Sequence, residues 1–124
     1  MYERSDGVDE AMSEEERLSK AWHHYRASAE QHNAFSHLKM GDFFYYGKGF
    51  LNQSYDQAVS YYRVASDLRN AQATFNLGYM QHHGLGVAKD LHLSKRFYDL
   101  SAEIRYEKRR VLVSKFDSFA TLFL

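Results

Sequence analysis

The sequence predicts an all-α fold in which short helix-turn-helix repeats stack into an α-solenoid. The first observation is an internal repeat, because MGDFFYYGKG at 40–49 aligns with LGYMQHHGLG at 77–86. The second is helical spacing, since small and apolar residues recur in each unit at steps of three and four. The third is the absence of proline, which suits helices joined by glycine corners.

The two copies of the repeat are offset by 37 residues, and three glycines of the first copy recur in the second. The same offset takes Tyr25 to Tyr62, and an offset of 36 takes Tyr62 to Tyr98. So many matches at one offset indicate a true repeat, and a period of this size is typical of helical solenoids. The positions that we predict to shape the repeats are Gly41, Gly47, Gly49, Gly78, Gly84, Gly86, Tyr25, Tyr62 and Tyr98.

The first predicted element is a lone helix at 14–31, preceded by a polar segment at 1–13. This helix corresponds to the second helix of a repeat, and its apolar stripe includes Trp22. Ser13 and Glu16 have the spacing of a capping box, in which each side chain bonds to the backbone of the other residue. The folded part is therefore predicted to begin inside a repeat.

Two full units are predicted at 33–68 and 70–103, each made of two helices. Ser54 and Asp90 stand where the second helix of each unit begins, and both residue types are good N-caps. The first helix of the second unit carries a stripe that we expect to face the core. Its small and apolar members are Ala71, Phe75, Gly78 and Met80.

Gly41 and Gly78 are predicted to lie in the middle of helices, where glycine costs about 1 kcal/mol relative to alanine. A favourable packing contact is therefore expected to offset this cost. We expect a close helix approach, with Tyr62 or Tyr98 in the space that a side chain would take. The glycine pair that follows can end the helix in the left-handed conformation and turn the chain back. A phosphate-binding loop would instead follow a strand and open a helix, so the corner interpretation is favoured.

The segment at 104–124 differs from the repeats. It combines a basic run at 108–110 with Leu112 and Phe116 at a helical step. One interpretation is a capping helix that covers the open end of the solenoid. A disordered tail and an interfacial membrane helix are the alternatives.

The composition argues against several classes of function. Sixteen basic and sixteen acidic residues give no net charge, which disfavours nucleic acid as a partner. The absence of cysteine excludes disulfides, zinc-thiolate sites and a cysteine nucleophile. His82 and His83 are adjacent, so on a helix they point about 100° apart and do not suit one shared ion. We expect no catalytic residues, no metal and no cofactor, and a histidine-metal hydrolase is the least favoured function.

The glycine pattern, followed by a helix with alanine and tyrosine four residues apart, resembles the Sel-1-like repeat, a relative of the tetratricopeptide repeat. The tetratricopeptide unit is shorter, at about 34 residues. The resemblance covers 14–103 and implies a right-handed solenoid. It also implies a non-enzymatic scaffold for protein–protein interaction.

A more specific resemblance lies in 70–103, in the motifs NAQA, FNLGYM, GLG, DLHL and KRFYD. These are similar to the last luminal repeats of the adaptor subunits of HRD-type ubiquitin ligases, which serve endoplasmic-reticulum-associated degradation. The resemblance implies a membrane ubiquitin ligase and lectin-type adaptors as protein partners. It also implies a location at the endoplasmic reticulum.

The location has alternatives from the sequence itself. The chain shows no basic segment followed by an apolar leader, and no apolar run of about 18 residues that could span a membrane. A cytosolic Sel-1-like signalling scaffold and a truncated fragment therefore stay open. Asn52 begins the triplet Asn-Gln-Ser, an N-glycosylation acceptor that agrees with a luminal location.

The groove of the solenoid is the expected place for a partner. The aromatic run Phe43–Tyr46 covers more than one helical face, so part of it is predicted to be exposed or used. We expect Phe44 in the core, and an exposed aromatic cluster is a candidate partner site. The residues that we predict to contact a partner are Asp42, Tyr45, Tyr46, Tyr79, His82 and His83.

Overall fold

A computed structural model describes residues 12–122 of the chain. Within these residues the structure contains five helices and no strand, and the predicted all-α solenoid is confirmed. The helices are α1 Glu14–Ala29, α2 Ala34–Tyr46, α3 Tyr55–Asp67, α4 Ala71–His83 and α5 Leu91–Thr121. The polar segment predicted at 1–13 lies outside the described residues, apart from its last two positions.

Each helix packs mainly on its neighbours along the chain, with α2 against α3 and α4 against α5 as the two hairpins. The core is rich in aromatic side chains at the N-terminal end of the solenoid. Trp22 of α1 lies edge-on to Phe44 of α2, with ring centroids 5.4 Å apart. Phe44 in turn stacks on Tyr61 of α3 at 5.6 Å. Such contacts add to the free energy gained from burial and fix how α1 packs on the first hairpin.

Polar caps explain where the helices begin. Ser13 and Glu16 form the predicted capping box at the start of α1. The side chains that accept a backbone N–H bond at the start of the five helices are Ser13, Asn33, Ser54, Asn70 and Asp90. Each satisfies an N–H group that the helix itself leaves without a partner.

The glycine corners pack each unit on the one before it. Gly47 and Gly84 end α2 and α4 in the left-handed conformation, with φ of 67° and 69°. A Cβ on Gly49 would lie 3.2 Å from Leu18 of α1, and one on Gly86 would lie 2.7 Å from the backbone of Tyr55 in α3. A side chain at Gly49 or Gly86 would therefore push consecutive units apart.

Two corners between units use residues other than glycine. His32 follows α1 and Arg69 follows α3, and both have positive φ, 60° and 65°. They are separated by the repeat offset of 37 residues, so the strained corner belongs to the repeat. Left-handed backbone is costly for a residue with a Cβ, and no glycine stands at either corner to signal it.

For 104–124 the sequence left a capping helix, a disordered tail and an interfacial membrane helix open, and the structure has helix from 104 to 121. Helix α5 continues through this boundary to Thr121. The reason is local, because 91–121 contains neither glycine nor proline and is rich in good helix formers. Ile104 is 1% exposed, whereas Leu112 and Phe116 further along are 67% and 69% exposed. Among residues 12–122, no helix is long and apolar enough to cross a membrane.

Candidate protein-interaction site

A cleft of about 250 Å³ opens between α2 and α4, with one residue of α3 at its floor. Its lining residues are Asp42, Tyr45, Tyr46, Tyr62, Phe75, Asn76 and Tyr79. The structure therefore brings together four of the six residues that were predicted to contact a partner, namely Asp42, Tyr45, Tyr46 and Tyr79. The remaining two, His82 and His83, lie next to the cleft and do not line it.

The repeat itself places these side chains opposite each other. Asp42 and Tyr46 are one turn apart on α2, and Asn76 and Tyr79 are one turn apart on α4. Residues three or four apart share a face of a helix. Because the two helices hold equivalent places in consecutive units, the same face of each contributes to one cleft.

Tyr62 forms the floor. Its side chain is 1% exposed, and its hydroxyl donates a hydrogen bond of 2.6 Å to Oδ1 of Asp42. An ideal Cβ on Gly41 would lie 2.5 Å from the Tyr62 ring, so the glycine leaves room for that ring. Burial first, and then the hydrogen bond to Asp42, raise the pKa of the Tyr62 hydroxyl far above its ordinary value. The hydroxyl therefore stays a neutral donor to the carboxylate.

Asp42 retains one oxygen for another partner. Its Oδ2 atom lies 4.0 Å from Nζ of Lys39, which is longer than a hydrogen bond, and its side chain is 21% exposed. A pair of this kind at a surface contributes little to stability. The carboxylate is thus held by Tyr62 on one side and open to the cleft on the other.

Aromatic rings form the walls. Tyr45 contacts Tyr46 and Tyr55, with ring centroids 4.8 and 5.2 Å apart. Burial is the main cause of a raised pKa at the Tyr45 hydroxyl. Tyr46 is 65% exposed, and on α4 Phe75 and Tyr79 are 40% and 42% exposed. Half-exposed rings of this kind leave apolar area that a partner could cover.

The two adjacent histidines continue the aromatic surface beyond Tyr79. The ring of His83 lies 4.3 Å from that of Tyr79, and His82 stacks on His83 at 4.5 Å with an interplanar angle of 12°. The expectation that these side chains point well apart is therefore wrong, because both rings turn to stack. In the described part of the chain, no group of three or more histidine or acidic side chains is placed to hold a metal ion.

Sequence reasoning missed Phe75 as a lining residue, because it was assigned to the core stripe of α4. Its equivalent in the first unit is Leu38, which is 7% exposed and packs in the core. Phe75 instead packs on Tyr98 at 4.9 Å and keeps one edge in the cleft. The signal was available, since a larger aromatic residue replaces leucine at a buried position of the repeat.

Asn52 lies in the loop between α2 and α3, and its side chain is exposed. Ser54 of the same triplet caps α3 by accepting a bond from the backbone N–H of Gln57 at 3.3 Å. The exposure of Asn52 agrees with the predicted acceptor site, and glycosylation of Asn52 stays a prediction.

Consecutive helical hairpins with an aromatic cleft between equivalent helices define a solenoid protein of the interaction-scaffold class. The Sel1 repeat family model matches residues 16–33, 34–70 and 71–104. The chain belongs to the Sel1 repeat family, as the sequence predicted, and repeats of this family are protein-interaction scaffolds.

Relatives of the chain include Protein sel-1 homolog 2 of Mus musculus, which is 48% identical over 80 residues. The match covers 64% of this chain and 12% of the mouse protein. A second relative is the ERAD-associated E3 ubiquitin-protein ligase component HRD3A of Arabidopsis thaliana, 41% identical over 97 residues, or 78% of this chain and 14% of that protein. The chain thus spans a small part of the length of these curated relatives.

The fold also matches a solved structure, the crystal structure of a Sel1 repeat protein from Oxalobacter formigenes. The TM-score is 0.61 at 28% identity, and the match covers 64% of this chain and 60% of the bacterial one. Both chains therefore share the helical repeat arrangement.

Proposed function

We propose that this chain is a non-enzymatic scaffold that binds a protein partner in the cleft between α2 and α4. The observation that carries the proposal is the exposure of Tyr46, Phe75 and Tyr79 around one open pocket. Tyrosine is enriched among the residues that carry binding energy at protein interfaces, because it offers a large rigid surface and a polar tip. The balanced charge of the chain supports a protein partner over nucleic acid.

We further propose that the chain acts as the adaptor subunit, or part of it, in a ubiquitin ligase complex of endoplasmic-reticulum-associated degradation. The similarity to the plant ERAD-associated component supports this assignment over most of the chain. The partners would then be a membrane ubiquitin ligase and lectin-type adaptors, and the location would be the endoplasmic reticulum.

Site-specific photo-cross-linking tests the partner assignment. A photoreactive phenylalanine analogue at Tyr46, in the full chain expressed in cells, should cross-link to a component of the ubiquitin ligase complex. The matched control places the analogue at Arg63, which is exposed on α3 and does not line the cleft. Cross-links to the ligase that are equal at both positions, or that are missing at Tyr46, would contradict the proposed site.

Glycosylation tests the location. The chain recovered from microsomes should shift in mobility after treatment with an endoglycosidase, and Asn52→Gln should abolish the shift. An unshifted chain in the soluble cytosolic fraction would contradict the proposed location and favour the cytosolic scaffold.

A further inference from the structure

The charge inside the cleft suggests what kind of side chain it binds. Asp42 is the one carboxylate among the seven lining residues, and the lining contains no lysine or arginine. We propose that the cleft takes a lysine or arginine side chain of the partner, with its cation paired to Asp42 and its stem against the aromatic rings. This inference rests on the proposed function and adds the chemistry of the bound residue.

The geometry of the carboxylate supports a cationic ligand. Tyr62 occupies Oδ1 of Asp42 and holds the group in place, while Oδ2 faces a lysine of its own chain only at 4.0 Å. A positioned carboxylate with a free oxygen accepts a strong charge-assisted hydrogen bond from an ammonium or guanidinium group. An acidic ligand would instead meet repulsion from Asp42 and would find no basic residue in the lining.

The walls suit the rest of such a side chain. A cation within about 6 Å of an aromatic centroid is attracted to the face of the ring. The chain already shows this preference on α2 and in the loop after it, where Lys48 Nζ lies 5.5 Å from the Tyr46 centroid and Lys39 Nζ lies 5.2 Å from that of Phe35. Neither lysine lines the cleft, although Nζ of Lys39 lies at its edge, 4.0 Å from Oδ2 of Asp42. At about 250 Å³ the cleft is smaller than pockets for drug-sized ligands, which run from about 300 Å³, and it suits a single long side chain.

Titration with short peptides tests the inference. The probes are four acetylated and amidated pentapeptides, alanine at every position except the centre, which is lysine, arginine, norleucine or glutamate. Amide shifts of the full ¹⁵N-labelled chain report binding at 42–46 and 75–79. We expect the lysine and arginine peptides to bind at least fivefold more tightly than the norleucine and glutamate peptides. Equal binding by norleucine or glutamate would overturn the inference.

Two variants move the affinity in opposite directions. Asp42→Asn keeps an oxygen for the Tyr62 hydroxyl but loses the charge, so the lysine peptide should bind about tenfold more weakly and the norleucine peptide unchanged. Asp67→Asn, at an exposed position of α3 outside the cleft, is the control and should change the affinity of neither peptide.

Lys39→Gln removes a cation next to Asp42 and should strengthen binding of the lysine peptide by about two- to threefold. This variant tests the inference even if Asp42→Asn folds poorly. Weaker binding in Lys39→Gln would count against the inference.

The peptide result and the cross-linking result can fail separately. Equal binding of all four peptides, with a ligase cross-link at Tyr46, would overturn the basic-side-chain inference and leave the proposed function intact. Tight binding of basic peptides that depends on Asp42, without a ligase cross-link, would support the inference and overturn the proposed partner.

Discussion

The two repeat units use the same glycine–tyrosine contact, and they differ in how tightly they close it. In the first unit a Cβ on Gly41 would lie 2.5 Å from the ring of Tyr62. In the second unit a Cβ on Gly78 would lie 2.8 Å from the ring of Tyr98. Tyr62 is 1% exposed, whereas Tyr98 is only half-buried.

The polar groups at this contact differ more than the rings do. In the first unit, the buried hydroxyl of Tyr62 donates its hydrogen bond to Asp42. In the second unit, the residue equivalent to Asp42 is Tyr79, which lines the cleft. The second unit joins its helices by other hydrogen bonds. Ser94 and Ser101 of α5 donate to backbone carbonyls of α4, at 2.7 and 2.8 Å.

The same helical backbone carries a buried polar link in the first unit and aromatic cleft walls in the second. Alanines stand in the first unit where the second has these serines. In the part of the chain that the structure describes, the bond from Tyr62 to Asp42 provides a polar link between α2 and α3. That bond also leaves a carboxylate at the cleft floor, while the second unit contributes aromatic walls. The cleft is therefore asymmetric because neighbouring repeats have diverged at equivalent positions.

The largest expected effect comes from adding a methyl group to the tighter contact. Gly41→Ala places a Cβ against a buried ring that cannot turn away, and overpacking outweighs the gain in helix propensity. We expect a net loss of about 2–3 kcal/mol in the free energy of unfolding, measured by urea denaturation.

Gly78→Ala is the matched variant in the second unit. Its tyrosine is only half-buried, but the new Cβ would also lie 3.2 Å from Cβ of Phe97, so we expect a net loss of about 1 kcal/mol, smaller than in Gly41→Ala. Equal losses in both variants would mean that the two contacts are equally tight.

A second prediction concerns the hydroxyl groups. Tyr62→Phe removes the donor to Asp42 and should lower the free energy of unfolding by about 1–2 kcal/mol. Tyr98 is only half-buried, so Tyr98→Phe should change stability by less than about 0.5 kcal/mol. Chemical denaturation of both variants beside the parent measures the difference, and a larger loss in Tyr98→Phe would reverse the comparison.

The third prediction tests the serine links of the second unit. Ser101→Ala removes a buried hydrogen bond to the carbonyl of Ala71 and should cost about 1 kcal/mol. Ser114→Ala, at an exposed position of the same helix, gives the helix-propensity gain alone. Thermal unfolding of both variants should separate the two effects, and a stabilised Ser101→Ala would show that the bond does not hold α4 to α5.

The fold was predictable because its signal is repeated. Glycines in the same phase of both units, such as Gly41 and Gly78, predict the helix class and the Sel1 family, and both predictions are confirmed. The corners at His32 and Arg69 were not predictable, because neither residue type signals left-handed backbone. The repeat pattern ends near residue 103 and so does not predict the continuation of α5, which follows from the lack of glycine and proline in 91–121.

The candidate site was predictable only in part. Asp42, Tyr45, Tyr46 and Tyr79 gather in one cleft, and their role in partner binding stays a prediction. Phe75 packs on Tyr98 of the next helix and stays 40% exposed, and a helical stripe does not contain information on such a contact. Packing between units decides which aromatic rings are core and which are surface.

The smallest predicted effect on stability concerns the N-terminal caps of α1 and α3, which are corresponding helices of consecutive units. Both begin at a serine that accepts an N–H bond, but only the cap of α1 is closed by a carboxylate, that of Glu16. The backbone and side-chain hydrogen bonds of Ser13 lower the pKa of Glu16 below its ordinary value of 4.5. Because the folded pKa is depressed, the stabilisation is present above 4.5 and is lost as the pH falls through the folded value.

Glu16→Gln should therefore lower the melting temperature slightly at pH 7, and the difference from the parent chain should shrink towards pH 3. The matched variant Gln57→Glu puts a carboxylate at the same place in the cap of α3, three residues after Ser54. It should raise the melting temperature at pH 7 and lose that gain in acid, so that the two caps exchange their pH dependence. A pH-independent difference in both variants would show that the charge of Glu16 contributes nothing to the cap.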